Sequence, residues 1–374
     1  MQENFTKKIR ILSFQNAHNF GAVLQAYGLQ QTLINMGYKD VKFLNYNPKY
    51  LSNRYNPFRK LTFFPLPGLM HYPGHIIRWL IFAISSVLRN YRFNESIKRL
   101  LFQTKKELHK LSDFVDEEAD IIICGSDQIW NTSLTGSFDD VFFGKIPCSG
   151  LKKVISYAPS TELSSLNEKR AKELVTRFEG FSNISVREQP VKEYLSQYTD
   201  AEISVCVDPT IVCGREIFDK IVAPRKVHKP YICVYAYEPH GKLVQELIET
   251  IPNYHNYEVH YLLLGARGLS NLSNVYHSEI SIEEFLSYIK YADYIITNSF
   301  HGLAFSLLFE KQFNVAFEDG KFVRCQSLLQ AVDLVNRFVT DPQYAKWDVL
   351  DYKTIKERLS EIRKSSMNFL IKSL

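Results

Sequence analysis

The sequence predicts an α/β protein of two Rossmann-like, doubly wound domains facing a cleft, with a basic helical insertion in the N-terminal domain. Three observations predict it. At 374 residues the chain is longer than one ordinary core organises. Short apolar runs recur along it, each followed by a stretch whose apolar positions repeat near the helical period. The runs end in clusters of Asn, Asp, Ser, Gly, Arg or His, and an open α/β sheet binds its ligands at the C-terminal ends of its strands.

Taken in order, Lys8 to Phe14 reads as a strand and Asn16 to Gly21 as a polar loop. Ala22 to Met36 is a helix with Val23, Leu24, Tyr27, Leu33 and Ile34 on its apolar face, and Gly37 ends it. Val41 to Asn45 is the second strand, so the chain opens β-loop-α-β, the start of a parallel sheet. After the insertion, about 52–110, a strand at Asp120 to Cys124 is buried on both faces and ends in GSDQIWN. Lys153–Tyr157 and Ile184–Val186 are further strands, with helical stretches at Glu162–Gly180 and Pro190–Tyr198. Val205–Val207 leads to Asp208-Pro209-Thr210.

A boundary falls in the Pro-rich, basic stretch Val222 to Pro230, which sets an N-terminal domain at 1–222 and a second at 223–352. The second series has strands at Tyr231–Tyr237, Val259–Leu264, Tyr294–Ile296 and Phe313–Phe317. Helices lie at Gly241–Glu249, Ser281–Tyr291 (opened by a capping box, Ser281 to Glu284) and Leu303–Glu310. The segment 353–374 is a polar-faced helix expected to pack back on the N-terminal domain.

Composition bounds the function classes. The chain is 45% hydrophobic and 14% aromatic, which suits a large core and argues against disorder. A net charge of +5 is too mild for a nucleic-acid partner. No C-x-x-C pair occurs among the six cysteines, so no metal is expected. The first residues, MQENFTKKIRILSF, lack the apolar core of a signal peptide, and a cytoplasmic setting is expected.

The most apolar stretch, Ile76 to Leu88, is too short to span a bilayer and carries Arg78. Around it, from Ser52 to Lys110, stand eleven Lys and Arg against Glu95 and Glu107. Two readings stay open. One is an amphipathic insertion packed on its own domain with solvated basic faces. The other is an interfacial helix within 76–110 that touches anionic lipid, a peripheral membrane contact on the inner face.

The strand-end motifs carry the candidate chemistry. In Thr297 to Gly302, TNSFHG, a helix start favours an anion, Gly302 allows close approach, and His301 can move a proton. Asn298 and Ser299 belong to the same turn. Asn19, Gly21 and Gln25 open the first helix, where they line the cleft or only cover the sheet. Asp127 can act as a base toward a sugar hydroxyl, with Gln128 beside it and Trp130 offering a face for stacking. The other reading of this loop is a turn tied by its own side-chain hydrogen bonds. Arg187 suits an anion clamp, or else a salt bridge to Glu188 or Asp208. Asp208-Pro209 reads as a turn.

NFGAVLQAYGLQ (Asn19–Gln30), CGSDQIWN (Cys124–Asn131), SVRE (Ser185–Glu188), VDPT (Val207–Thr210) and TNSFHG occur in the order seen in the polysaccharide pyruvyl transferases, and the chain resembles that family. The resemblance implies a glycosyltransferase-B-like fold and transfer of pyruvate from phosphoenolpyruvate onto two hydroxyls of a sugar. The acceptor would be a surface polysaccharide or its lipid-linked precursor, and the products a pyruvate ketal and phosphate. Phosphoenolpyruvate would be a co-substrate, with no cofactor. In many relatives the His motif reads Arg-x-His-Gly. Ser299 stands here in place of that arginine, and Arg324, in FVRCQSLLQ, is expected to supply the charge. On this reading His301 and Asp127 are catalytic, and Arg187, Arg324, Asn298, Ser299 and Gly302 bind the donor. Asn19, Gly21, Gln25, Gln128 and Trp130 bind the acceptor. The alternative is a glycosyltransferase using a nucleotide-sugar, with its diphosphate near Gly265–Gly268.

Overall fold

A computed structural model of the chain describes residues 5–56, 73–266, 275–317 and 323–374. Arg59 and Lys60 of the insertion, and Arg267 and Gly268 of the alternative diphosphate loop, lie outside these residues.

The first sheet is built from β1 (Lys8–Leu12), β2 (Asp40–Phe43), β3 (Ile121–Cys124) and β4 (Lys153–Ser156) in the order β2-β1-β3-β4, all parallel. A parallel pair, β5 (Ile184–Val186) and β6 (Ile203–Val205), extends it through a bridge from Ile155 to Asn183. The second sheet holds β7 (Tyr231–Tyr235), β8 (Glu258–Leu262), β9 (Tyr276–His277), β10 (Tyr294–Thr297), β11 (Gln312–Ala316) and β12 (Phe338–Val339). Its order is β12-β11-β10-β7-β8-β9, again parallel throughout.

Each sheet winds outward in both directions from a central pair, β1 and β3 in the first, β7 and β10 in the second. The loops after those four strands diverge, and a crevice opens between them. β3 and β7 are buried along their whole length, as strands covered by helices on both faces must be. β9 and β12 are two-residue edge strands, too short to give a sequence pattern.

The first helix, Phe20–Asn35, is capped by Asn19, whose Oδ1 accepts from Ala22 N at 3.2 Å. It is buried on nearly every side because it lies between the two halves. Phe20 stacks on Phe285 of the helix Ile282–Lys290, with centroids 4.5 Å apart. One apolar cluster joins Ile9, Ile11 and Val23 of the first half to Leu303, Phe305 and Phe313 of the second.

The insertion helix, Pro73–Leu100, packs on its own domain, with Phe93 against Phe20 and Asn90 and Asn94 against His18, and its buried side also reaches across to the second half. Ser85 Oγ lies 3.0 Å from Ser278 Oγ, and Ser96 Oγ donates to Glu283 Oε2 at 3.0 Å. Arg89, expected on a solvated or lipid-facing basic surface, is only 5% exposed. It donates to Ser278 O at 2.7 Å and Leu264 O at 3.2 Å, with Phe93 under its guanidinium. The reason is local. Carbonyls at the ends of β8 and β9 need donors, and a planar guanidinium reaches several at once.

The C-terminal helix, Tyr352–Ser373, returns to the first half. Val207 N donates to Ser366 Oγ at 3.0 Å, and Lys153 Nζ to Ser373 O at 3.1 Å. No helix among the described residues is long and apolar enough to cross a membrane.

Candidate active site

The four diverging loops meet at one cleft, lined by Asn19 after β1, Asp127 and Gln128 after β3, Tyr237 after β7, and Ser299, Phe300 and His301 after β10. Arg324, on the first turn of the helix Val323–Ala331, closes one side, and Tyr50, Arg54 and Tyr55 close another.

The β3 loop is shaped by its backbone. A Cβ on Gly125 would stand 2.1 Å from Tyr157 O, so only glycine fits at its φ of 132°. Asp127 has φ 73°, a left-handed conformation that Asp tolerates better than most residues. Its carbonyl accepts from Ser160 N at 2.8 Å, and its Oδ1 from Gln128 N at 2.8 Å. Trp130 does not face the cleft as expected. It is fully buried, stacks on Phe143 with centroids 5.3 Å apart, and donates to Phe142 O. Gln25 is a second correction. It is fully buried in the first helix, where its amide donates to Ser13 Oγ and Ala22 O, both at 2.9 Å. Neither side chain has a face left for a sugar.

In the β10 loop, Asn298 Oδ1 accepts from Tyr237 N at 2.8 Å and so ties the two loops of the second sheet together. Ser299 stands at the cap of the helix Phe300–Leu308 but makes no side-chain capping bond. The first-turn amides thus face the cleft side of the helix without a side-chain acceptor, a positive end that attracts anions. Glycines make the fit possible. A Cβ on Gly302 would lie 2.1 Å from Thr297 Oγ1, and one on Gly21 would lie 2.0 Å from His301 Nδ1. Gly21 therefore makes room for the imidazole, and Gly302 for the strand end.

Beneath His301 sits a buried charge cluster. Asp208 Oδ2 is 2.9 Å from Arg187 Nη2 and 3.6 Å from His301 Nε2. These are charge contacts without hydrogen-bond alignment, since neither Asp208 Oδ2 nor His301 Nε2 has a hydrogen-bond partner among the described residues. Burial pushes the Asp208 carboxyl up, but the Arg187 guanidinium, the His301 ring and the Thr210 amide outweigh it and hold it well below the usual carboxylate range. Arg187 also donates to Ser126 Oγ at 2.6 Å, while its Nε and Nη1 find no partner among the described residues.

Arg187 does not line the central cleft. It faces an adjoining cavity with Glu188 and Asp208, and Phe300 and Arg324 line both spaces. Arg324 makes no hydrogen bond or salt bridge among the described residues, and it stands at the border of the two cavities. Glu188 is 1% exposed. Burial pushes its carboxyl up against the opposing pull of Arg187 and Arg324. Ser160 Oγ donates to its Oε1 at 2.8 Å, and its Oε2 has no partner among the described residues.

Sequence reasoning thus reached Asn19, Asp127, Gln128, Ser299, His301 and Arg324, which the fold gathers in one cleft. It named Glu188 and Asp208 only as alternative salt-bridge partners of Arg187, of which Asp208 is the one the structure pairs with it, and it missed Asp208 as a partner of His301 and Arg54 and Tyr237 in the lining. Asp208 had a visible signal, its place after a strand, but the following proline reads first as a turn. Arg54 and Tyr237 gave none.

Two parallel sheets meeting at their switch points, with a His–Asp pair, an arginine that makes no hydrogen bond or salt bridge among the described residues, and a helix N-terminus at the junction, define a two-domain Rossmann-like α/β protein with its site in the crevice between the sheets. The model of one family, polysaccharide pyruvyl transferase, matches residues 19–315, and the chain belongs to that family. No curated protein matches it. Among solved structures it is similar along its whole length to the UDP-GlcNAc 2-epimerase from Neisseria meningitidis bound to UDP-GlcNAc: 11% identity, 97% of this chain and 100% of that one, TM-score 0.49. It is also similar to S. aureus MnaA in complex with UDP (12%, 96% and 91%, TM-score 0.47). The glycosyltransferase SnogD from Streptomyces nogalater is a third (9%, 97% and 96%, TM-score 0.39).

Proposed function

We propose that the donor is phosphoenolpyruvate and that the protein transfers its pyruvyl group onto two hydroxyls of one sugar of a surface polysaccharide or its lipid-linked precursor, forming a ketal. The observation that carries the reading is the junction at His301. It combines a proton-moving group over a buried carboxylate, a guanidinium at Arg324 with no hydrogen bond or salt bridge among the described residues, and an open helix start. A donor with a carboxylate and a phosphate on one carbon suits that set. Residues 1–222 form the acceptor side and 223–352 the donor side.

In the reaction, a proton adds to the methylene carbon of the enol and C2 becomes cationic. One sugar hydroxyl attacks C2, the C2–O bond to phosphate breaks, and the second hydroxyl closes the ketal. Of the two hydroxyl protons, one balances the new methyl group and the other leaves with phosphate. His301, kept in place by Asp208 and Gly21, handles the proton at the donor. Asp127 takes the hydroxyl proton on the acceptor side. Arg324 and the first-turn amides of Phe300–Leu308 hold the anionic groups, with Arg187 behind them. Arg324 provides the charge that Ser299 does not.

The test is incubation with phosphoenolpyruvate and candidate glycans, followed by mass spectrometry and phosphate release. A ketal-sized mass gain with equimolar phosphate is expected. Consumption of a nucleotide-sugar in place of phosphoenolpyruvate would overturn the reading.

We further propose that the protein works against an anionic lipid surface. Ile77, Leu80, Ile84, Val87, Leu88 and Tyr91 form a stripe along Pro73–Leu100, each 45–61% exposed. Arg78, Arg92 and Lys98 are exposed on the same helix, complementary in charge to anionic headgroups. Flotation with anionic vesicles should carry the protein at low salt, and Leu80→Glu with Ile84→Glu should abolish it. Wild type remaining with the soluble fraction would remove the lipid contact.

A further inference from the structure

Beside the central cleft lies a second pocket with unusual chemistry. Of its thirteen lining residues, seven are carboxamides, among them Asn16, Asn45, Asn47, Asn94 and Gln103. Its two charged residues, Lys98 and Glu107, are of opposite sign. Such a wall suits neither a phosphate, which needs clustered cations, nor a metal ion, which needs clustered carboxylates or imidazoles. A carboxamide both donates and accepts, as a hydroxyl does, so the wall matches a neutral polyhydroxylated ligand.

The groups are held in place. Asn90 Nδ2 donates to Tyr55 O at 2.7 Å, which leaves its Oδ1 to accept from His18 Nδ1–H at 2.9 Å. Burial lowers the His18 pKa against the pull of its two carboxamide partners. Asn94 Oδ1 lies 3.0 Å from His18 Nε2, so the one ring holds both carboxamides in place. Gln103 Oε1 is buried with no donor among the described residues, a costly state for a carboxamide oxygen. Tyr55 lines both this pocket and the central cleft, so the two lie side by side.

We propose that this pocket is a second carbohydrate subsite, which binds a neutral sugar unit next to the one presented to Asp127 and His301. The proposal rests on the glycan-acceptor reading above, and it makes the minimal good acceptor a disaccharide.

The experiment is saturation-transfer NMR on the full chain, without any donor. The probes are maltose, cellobiose, lactose and chitobiose, each against its monosaccharides. At least one disaccharide should bind more tightly than its parts. Asn47→Ala with Asn94→Ala should weaken it about ten-fold or more, the scale of two lost neutral hydrogen bonds. Asn94→Gln, which keeps the amide, tests whether a loss comes from chemistry or from disturbed folding and should retain partial binding. No disaccharide binding, or binding unchanged in the double variant, overturns the subsite. Because no donor is present, disaccharide binding with no phosphoenolpyruvate chemistry would sink the pyruvyl reading and leave the pocket standing. Turnover on monosaccharides without disaccharide binding would do the reverse.

Discussion

The loop after β3 and the loop after β10 occupy equivalent places, each at the switch point of a parallel sheet, and both are polar in sequence. They do different work. In Gly125–Asn131 the backbone decides: a glycine pressed on Tyr157 O and a left-handed Asp127 aim one carboxylate into the cleft and send Trp130 into the core. In Asn298–Gly302 the neighbours decide: Gly21 opposite and Asp208 beneath fix the imidazole of His301. Position at a strand end identifies a ligand-bearing loop. Which of its side chains reaches the ligand depends on backbone conformation and on residues far away in sequence.

The largest effect that would break this contrast is at Trp130. Trp130→Ala should cost about 3–5 kcal/mol of stability, as buried aromatic truncations do, with the acceptor KM of the surviving folded protein unchanged. Denaturant unfolding and acceptor titration check both halves, and a raised acceptor KM with normal stability would return Trp130 to the cleft. Next is His301. His301→Ala should lower turnover by about 10²-fold or more with the fold intact. Gly21→Ala sharpens the point without touching the imidazole's chemistry. Its methyl displaces the ring, and a misplacement of about 1 Å can cost up to roughly 10²-fold. Normal turnover in a well-folded His301→Ala protein would leave the β10 loop a helix start and nothing more.

The same contrast explains what was legible in the sequence. The strand and helix series, with its parallel order, followed from apolar runs and periodicity, because those patterns record which faces are buried. The first helix starts at Phe20 instead of Ala22 because Asn19 is its cap. The burial of Arg89 and the insertion's contacts with the second half were not legible. A basic residue in an apolar helix gives no hint that carbonyls nearly two hundred positions later will receive it. Asp208 was masked by Pro209, which fits the first turn of a helix as well as a loop. Trp130 was misread because residue type says only that an aromatic ring wants to be covered, by protein or by sugar.

A smaller effect is expected at Arg324, the charge on the donor side that the β10 loop lacks. Arg324→Ala should lower kcat/KM for phosphoenolpyruvate by about 10- to 150-fold, the worth of one hydrogen bond to a charged group. Arg324→Lys should restore it only in part, since a point charge cannot fork. Steady-state kinetics against donor concentration read this directly. An unchanged donor requirement would mean that Ser299 is tolerated for some reason other than Arg324.

The smallest effect separates the two buried carboxyls that flank Arg187. Asp208 is held below its usual range, so the stability it contributes is present at neutral pH and is lost as pH falls through its folded value. Glu188 is pushed up by burial, so its contribution is fully present below the ordinary glutamate range and is lost as pH rises through its folded value. Glu188→Gln keeps an acceptor for Ser160 and removes the titration. It should therefore match wild type in Tm near about pH 4 and exceed it slightly near about pH 8, because the variant no longer has to ionise a group surrounded by protein. Asp208→Asn should do the opposite, losing most at neutral pH, where Arg187 is left as an uncompensated buried cation, and least in acid. Thermal unfolding of both variants across that range decides the matter. If Glu188→Gln instead loses stability as pH rises, the carboxyl is ionised and paired in the native protein, and Arg187 is shared between two carboxylates instead of held by Asp208 alone.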